Sequence, residues 1–552
     1  MKKMRADSRG KLWSNSIKSL IILLLALLSL SAVSCSGNFG DSETTQDTSN
    51  KPPKLTEDEG MISAWVTNSF TKIQPQTAAK NQASSIDIYM AKNERESCQI
   101  VFRSDKALSG CSLEITPPEN GLSCEAFREH MIETKEGHFY PDPLAPARDG
   151  FTIGADSNLV FLLRFAAAAE TQAGIYNAGV KLVSDSGETL ASVSVNVKVW
   201  DFALPEKSAC ATAVGLYPEF ITKMDRVSGE ALDAMYEKYY NLLLDYKVCA
   251  YNLPFDILDD HADAYMSDPR VTAFVIPYSG DDDVIRAYYT KLSSNPEWFD
   301  KAVFYPLDEP TSKQMLDDLA KIADRLKALF PDYKMVTPFF LNLDYDADTD
   351  QISFMTDVTN VWCPKSYMYI TANIYSNEQI AKYPSFGARM AERKAAGDRV
   401  WWYVCWEPGD PYCNMFVDMD GIQHRLLFWQ QKYYDVDGFL YWGSNYWRDI
   451  SDPWTSMMTV PFLSETVFGD GSLLYNGSKA GIDGACGSVR LEAIRDGIED
   501  FDMFTLAEEV FGREWVMDKI AEITSSVIKY TKSEEKFTAA RIAVGDALDA
   551  GR

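Results

Sequence analysis

The stretch Lys301–Phe340, KAVFYPLDEPTSKQMLDDLAKIADRLKALFPDYKMVTPFF, decides the fold. A short apolar run, Ala302 to Tyr305, reads as a buried strand. Ser312 to Leu329 carries apolar residues at spacings of three and four, as one face of a helix requires. Lys334 to Phe340 is apolar again. Strand, helix, strand is the unit of a parallel α/β fold, because parallel neighbours need a crossover. The same alternation recurs. Strands are expected at Thr212–Leu216, Val248–Tyr251, Val271–Ile276, Val358–Cys363, Val400–Trp406 and Gly438–Trp442, with a helix at Glu230–Tyr246. Eight strands alternating with helices predict a (β/α)8 barrel over residues 206–460, with function gathered at the C-terminal strand ends.

Before it, residues 61–205 show short alternating runs such as Ser85–Met90, Gln99–Phe102, Leu159–Leu163 and Ser192–Val199. Turn residues punctuate them, which predicts an N-terminal β-sandwich. After it, residues 461–552 read as a mostly helical C-terminal extension, with helices at Ser488–Gly512, Trp515–Tyr530 and Glu534–Ala550. The chain is thus expected to be multidomain, α/β plus β.

The first 35 residues carry six basic side chains and then a leucine-rich run from Ser19 to Val33. That is the layout of a secretory signal, too short for a membrane span. Ala32-Val33-Ser34-Cys35 resembles the bacterial lipoprotein box and implies lipidation of Cys35. Residues 36–60 hold almost no apolar side chains and read as a flexible tether. Their acidic start resembles the surface-export signals of Bacteroidetes lipoproteins. The expected location is the outer membrane of a Gram-negative cell, reached through the lipid anchor alone.

The net charge is −27, from 53 basic and 80 acidic residues among 552. A nucleic-acid partner is excluded on this balance, because phosphate binding needs a basic surface. Neutral sugars are not repelled, and 13 Trp, 28 Tyr and 28 Phe offer faces on which they stack. Four histidines and no CxxC pair leave a zinc site unsupported. Among the cysteines, pairing within Cys98, Cys111 and Cys124, or of Cys405 with Cys413, stands beside buried free thiols.

Chemistry points back to Asp308 and Glu309. Two adjacent carboxylates at a strand end repel each other, so one holds its proton near neutrality. Pro310 predicts an extended Glu309. Acid beside carboxylate is what glycosidic bond cleavage needs. The plainer alternative makes Asp308 the cap of a helix starting near Pro310.

Several stretches together resemble glycoside hydrolase family 123 and the related domain-of-unknown-function family 4091. They are VWDFALP (199–205), FYPLDEP (304–310), GFLYWGSNYW (438–447), DPW (452–454), GDGSLLYNG (469–477) and SVRLEAIRDGIEDFD (488–502), joined by HFYPDPL (138–144). The resemblance implies a β-N-acetylgalactosaminidase-like hydrolase of glycans, without metal or organic cofactor. Its Asp-Glu pair maps onto Asp308 and Glu309, with Glu309 as acid and base and Asp308 orienting the sugar's 2-acetamido group. It further suggests Tyr367 or Tyr369 as donor to the acetamido oxygen, Trp442 and Trp447 as sugar-stacking rings, and Asn252 as a hydroxyl partner. The helix with Arg490 and Arg495 is expected to pack through salt bridges. A rival reading takes Trp406-Glu407-Pro408, at the seventh strand end, and pairs Glu309 with Glu407 as in retaining two-glutamate barrels. A second rival is a glycan-binding lipoprotein without catalysis.

Overall fold

The computed structural model describes residues 61–551 apart from 80, 81, 120, 136, 149, 463 and 464. The signal, tether and Cys35 readings lie outside these residues. A single compact unit spans Glu59–Arg552, and all that follows belongs to it.

Ten strands come first, in two five-stranded sheets. One runs β1 (Ile62–Asn68), β3 (Glu94–Ser104), β8 (Ser157–Ala167), β5 (Leu122–Lys135), β6 (His138–Pro146), all neighbours antiparallel. The other runs β2 (Ser85–Lys92), β10 (Thr189–Ala203), β9 (Gly174–Val183), β4 (Leu108–Thr116), β7 (Phe151–Ile153), with β2 and β10 parallel. Successive side chains on a strand point to opposite faces. Cys98, Ile100 and Phe102 on β3 therefore meet Phe161, Leu163 and Phe165 on β8 and Val195, Val197 and Val199 on β10 in one apolar core. Cys98 and Cys111 sit in that core as thiols; all nine described cysteines are free, so neither expected pairing forms.

The rest of the chain alternates. The strands are β11 (Ala211–Val214), β12 (Phe274–Ile276), β13 (Ala302–Phe304), β14 (Val336–Phe339), β15 (Val361–Pro364), β16 (Arg399–Val404) and β17 (Gly438–Tyr441). Parallel pairing joins β11, β17, β16, β15 and β14 in that order, and β12 to β13. Single parallel bridges link Val214 to Ala250 and Phe304 to Met335. The Val275 amide donates to the Tyr251 carbonyl at 2.7 Å. The expected strand at Val248–Tyr251 is thus one bridge at Ala250, since the chain turns away at Asn252. A second apolar cluster takes residues from all eight segments, among them Ala213, Tyr251, Ala273, Val303, Val336, Val361, Tyr403 and Leu440.

The main intervening helices are α1 (Glu230–Asp245), α2 (Asp282–Leu292), α3 (Lys313–Leu329), α4 (Phe386–Ala395), α5 (Gly421–Tyr433) and α6 (Val489–Phe511). The Ser312 hydroxyl, not Asp308, caps α3 by accepting the Met315 amide at 3.3 Å. Then come α7 (Arg513–Ala521) and α8 (Glu534–Gly551). The helix expected to reach Tyr530 stops at Ala521, and Thr524–Ser526 pairs with Lys529–Tyr530 as a hairpin. The β-branched and hydroxyl residues of ITSSVI favour that outcome over helix.

Between the first sheet and α5, α6 and α8 lies a buried charge network. Arg425 bonds Glu96 and Asp500; Arg541 bonds Glu94 and Asp500; Arg164 bonds Glu492; Arg495 pairs with Glu492, Asp496 and Glu499. Burial pushes Glu94 up to about 8 and Asp496 to about 7, which lessens the excess of negative charge in the network near neutrality. Arg490, on the same helix, forks onto buried Asp142 of β6 at 2.9 and 2.7 Å. Breaking a buried pair strands its partner, at a cost of about 3–5 kcal/mol. Arg425→Met is therefore expected to lower the urea-unfolding free energy by about that much with the denaturant slope unchanged.

Candidate active site

Strand β13 ends at Phe304 and delivers Tyr305, Asp308 and Glu309 to the C-terminal rim of the parallel strands. Pro310 does not hold Glu309 extended. Its φ is +42°, in the left-handed region that a residue bearing a Cβ rarely enters. Such a conformation costs roughly 1–3 kcal/mol and persists only where surrounding contacts fix it. Here the fixing contacts come from the Tyr403 hydroxyl, which donates to Glu309 Oε1, and from Lys365 Nζ, 3.8 Å from the same oxygen.

The two acids differ in surroundings. Asp308 is exposed on one side and crowded by protein on the others, and the Tyr305 hydroxyl donates to its Oδ1 at 2.7 Å. That crowding, followed by the charge of Glu309, pushes Asp308 up to about 7, against the pull of Tyr305 and Lys365. Glu309 is half-buried. Asp308 is thus poised to hold a proton near neutrality.

Lys365 follows β15 and is 2% exposed. Its ammonium bonds Glu407 Oε1 at 2.7 Å, so both glutamates touch one cation. Glu407 is half-buried after β16, and Trp406 beside it is half-buried too.

Of the expected binding residues, Asn252 is exposed just beyond the Ala250 bridge. Tyr367 is half-buried and donates to the Phe340 carbonyl at 2.6 Å. Trp442 is half-buried at the end of β17. Its indole N–H donates to Asp470 Oδ1 at 2.9 Å, its ring meets Tyr446 edge-on at 4.6 Å, and a Cβ on Gly471 would stand 2.2 Å from it. Only glycine fits there, at φ +69°, which explains the GDG turn. Asp470 itself is buried and pushed up to about 6 by that burial.

Two expectations are corrected. Trp447 is fully buried against Tyr239 and offers no face to a sugar. Tyr369 is buried among Phe386, Trp402 and Tyr434. Sequence reading missed Lys365, Tyr403 and Asp470. The signal for Lys365 was a lone cation closing the buried run VWCP; Asp470 lay unassigned inside the quoted GDG.

An aspartate–glutamate pair with a proton to give, set beside aromatic rings at a strand-end rim, is the equipment of a glycosidase. Residues 285–507 match the family model for the glycoside hydrolase 123 catalytic domain, so the resemblance carried by the sequence motifs is shown over this stretch. That match contains Asp308, Glu309, Lys365, Glu407, Trp442 and Asp470, and the family supports a glycosidase activity. Among solved structures, a family 123 glycoside hydrolase from Clostridium perfringens, described for glycolipid glycan hydrolysis, shares the fold. Its TM-score is 0.61 at 13% identity, covering 89% of this chain and 98% of that one. A glycosyl hydrolase family 2 member from Bacteroides cellulosilyticus aligns at a TM-score of 0.24 and 10% identity, over 69% of this chain and 46% of its own. No curated protein matches the chain.

A carboxyl whose folded value is raised binds its proton more tightly in the native state. Its contribution is full below the unfolded value near 4 and is lost as pH rises toward 7. Asp308→Asn is therefore expected to raise the melting temperature relative to wild type at pH 8 and to leave the difference near zero at pH 4, read by calorimetry across that range.

Proposed function

We propose that this protein releases a terminal 2-acetamido sugar, β-linked N-acetylgalactosamine, by substrate-assisted retaining hydrolysis. The observation that carries the reading is the Asp308–Glu309 pair on one rim, with separate partners for each acid. The acetamido oxygen attacks the anomeric carbon. The bond to the leaving oxygen breaks as Glu309 gives that oxygen its proton, and an oxazolinium forms. Water then attacks the same carbon from the vacated side, Glu309 takes its proton, and the ring opens back to the acetamide. Asp308 accepts the acetamido N–H and offsets the positive charge. An N–H donated to Asp308 favours its ionised form, the form that accepts the acetamido hydrogen bond. Trp442 supplies a stacking face, Tyr367 lies beside the pair's cation, and Asn252 is open to a hydroxyl.

The continuous run of parallel pairings supports a (β/α)8 barrel, and the two N-terminal sheets with their shared core support a β-sandwich ahead of it. The lipoprotein-like Ala32–Cys35 supports an outer-membrane anchor.

One observation favours a second reading. Lys365 touches both Glu309 and Glu407, as a two-glutamate retaining pair would allow. The readings separate cleanly. Under the first, a thiazoline mimic of the oxazolinium inhibits competitively; under the second, a fluorosugar leaves a covalent ester on Glu407, found by peptide mass spectrometry.

Aryl glycosides of N-acetylgalactosamine, N-acetylglucosamine and galactose, with glycolipid glycans beside them, test the substrate. Hydrolysis of the first above the others is expected. Glu309→Gln abolishes turnover of unactivated glycosides, and Asp308→Asn lowers kcat by about 100- to 10,000-fold. Near-wild-type turnover of Asp308→Asn would end the assisted mechanism; binding of the whole panel without hydrolysis would favour a glycan-binding protein. Cys35→Ser is expected to move the protein from the detergent phase to the aqueous phase in cell fractionation.

A further inference from the structure

Lys365 is held in an unusual place for a lysine. Burial of an ammonium is costly unless it is paired. Here the Nζ lies 4.6 Å from the centroid of Phe340, 5.5 Å from Tyr403, 5.7 Å from Tyr367 and 5.9 Å from Trp406. Four rings thus surround one cation, and each ring face attracts it. The openings in this cage are taken by Glu407, at 2.7 Å, and Glu309, at 3.8 Å. The distances are unequal: Glu407 holds the cation closely, and Glu309 feels what remains of its charge.

We propose that Lys365 is a positioning residue of the acid pair, which sets how tightly Asp308 holds its proton, and that Glu407 tunes it by competing for the same ammonium. Among the described residues, the phenols and thiols facing the pair carry no charge at neutrality. Tyr217, Tyr251 and Tyr305 face Asp308, and Tyr403, Cys363 and Cys405 face Glu309; burial raises all of these phenols and thiols. Asp470 is the other acid near the cation, and it is engaged by Trp442 and Tyr441. Lys365 is thus the cation that opposes Glu309 in its action on Asp308.

The inference rests on the proposed roles of Asp308 and Glu309, but its test needs no substrate. Carboxyl carbons of aspartate are labelled with 13C in the full-length protein, and the Asp308 resonance is assigned by its loss in Asp308→Asn. Its titration midpoint is followed in wild type, Lys365→Met and Glu407→Gln. Removing the cation is expected to move the midpoint up by about one pH unit. Removing its competitor turns the ammonium toward the pair and moves the midpoint down. Lys365→Arg, which keeps the charge, stays nearer to wild type than Lys365→Met does. A merely structural lysine would leave the midpoint in place. An unchanged midpoint in Glu407→Gln overturns the proposal even if Lys365→Met does not fold, and a downward shift in a folded Lys365→Met overturns it as well. Failure of the wild type to cleave acetamido sugars would remove the substrate assignment and leave this titration result standing.

Discussion

Everything in this fold leans on the charges sealed between the first sheet and the helices α5, α6 and α8. Arg425 reaches from α5 to Glu96 on β3 and to Asp500 on α6, and Arg541 brings α8 onto the same carboxylate. Arg164 and Arg495 extend the set to Glu492, Asp496 and Glu499. An ion stripped of water without a partner is far costlier than an unpaired apolar side chain. The network therefore demands that sheet and helices meet in one register. Hydrophobic contact alone would tolerate sliding; a guanidinium fork does not. The carboxylates outnumber the guanidinium groups, and the burial that raises Glu94 and Asp496 relieves part of the excess.

The parallel strands stand apart from that charge set, and their C-terminal ends hold the chemistry. The acid pair sits on a segment whose backbone is forced into a left-handed turn at Glu309. Tyr305, Tyr403 and Lys365 come from three different strand ends to hold it there. Adjacent carboxylates in sequence are thereby given different surroundings: one faces outward under a phenol, the other leans toward a caged cation. The division of labour proposed for them needs that asymmetry, because one group must keep a proton that the other can borrow.

Much of this was legible in the chain. The parallel strands are short buried runs, and seven of the eight expected ones fell within a few residues of their observed bounds, while Val248–Tyr251 shrank to a single bridge at Ala250. The apolar spacing of α1 and α3 marks those helices plainly. The failures are equally physical. Trp447 and Tyr369 follow strand ends, as rim residues do, but sequence does not say which way a loop turns its rings, and both turn inward. Pro310 argued for an extended Glu309, and the tertiary contacts to Tyr403 and Lys365 overrode that local preference. Lys365 itself carries no motif; a single lysine after a strand acquires meaning only when Glu309 and Glu407 are brought to it from distant positions.

The charge set has a temporal side. Its first members, Glu94 and Glu96, emerge early in synthesis, 447 and 329 positions before their partners Arg541 and Arg425. Until Arg541 is made, Glu94 has no guanidinium partner and Asp500 has only one of its two. Contacts that join positions 329 and 447 residues apart carry a large loop-closure cost, so the network closes after the local elements it ties together.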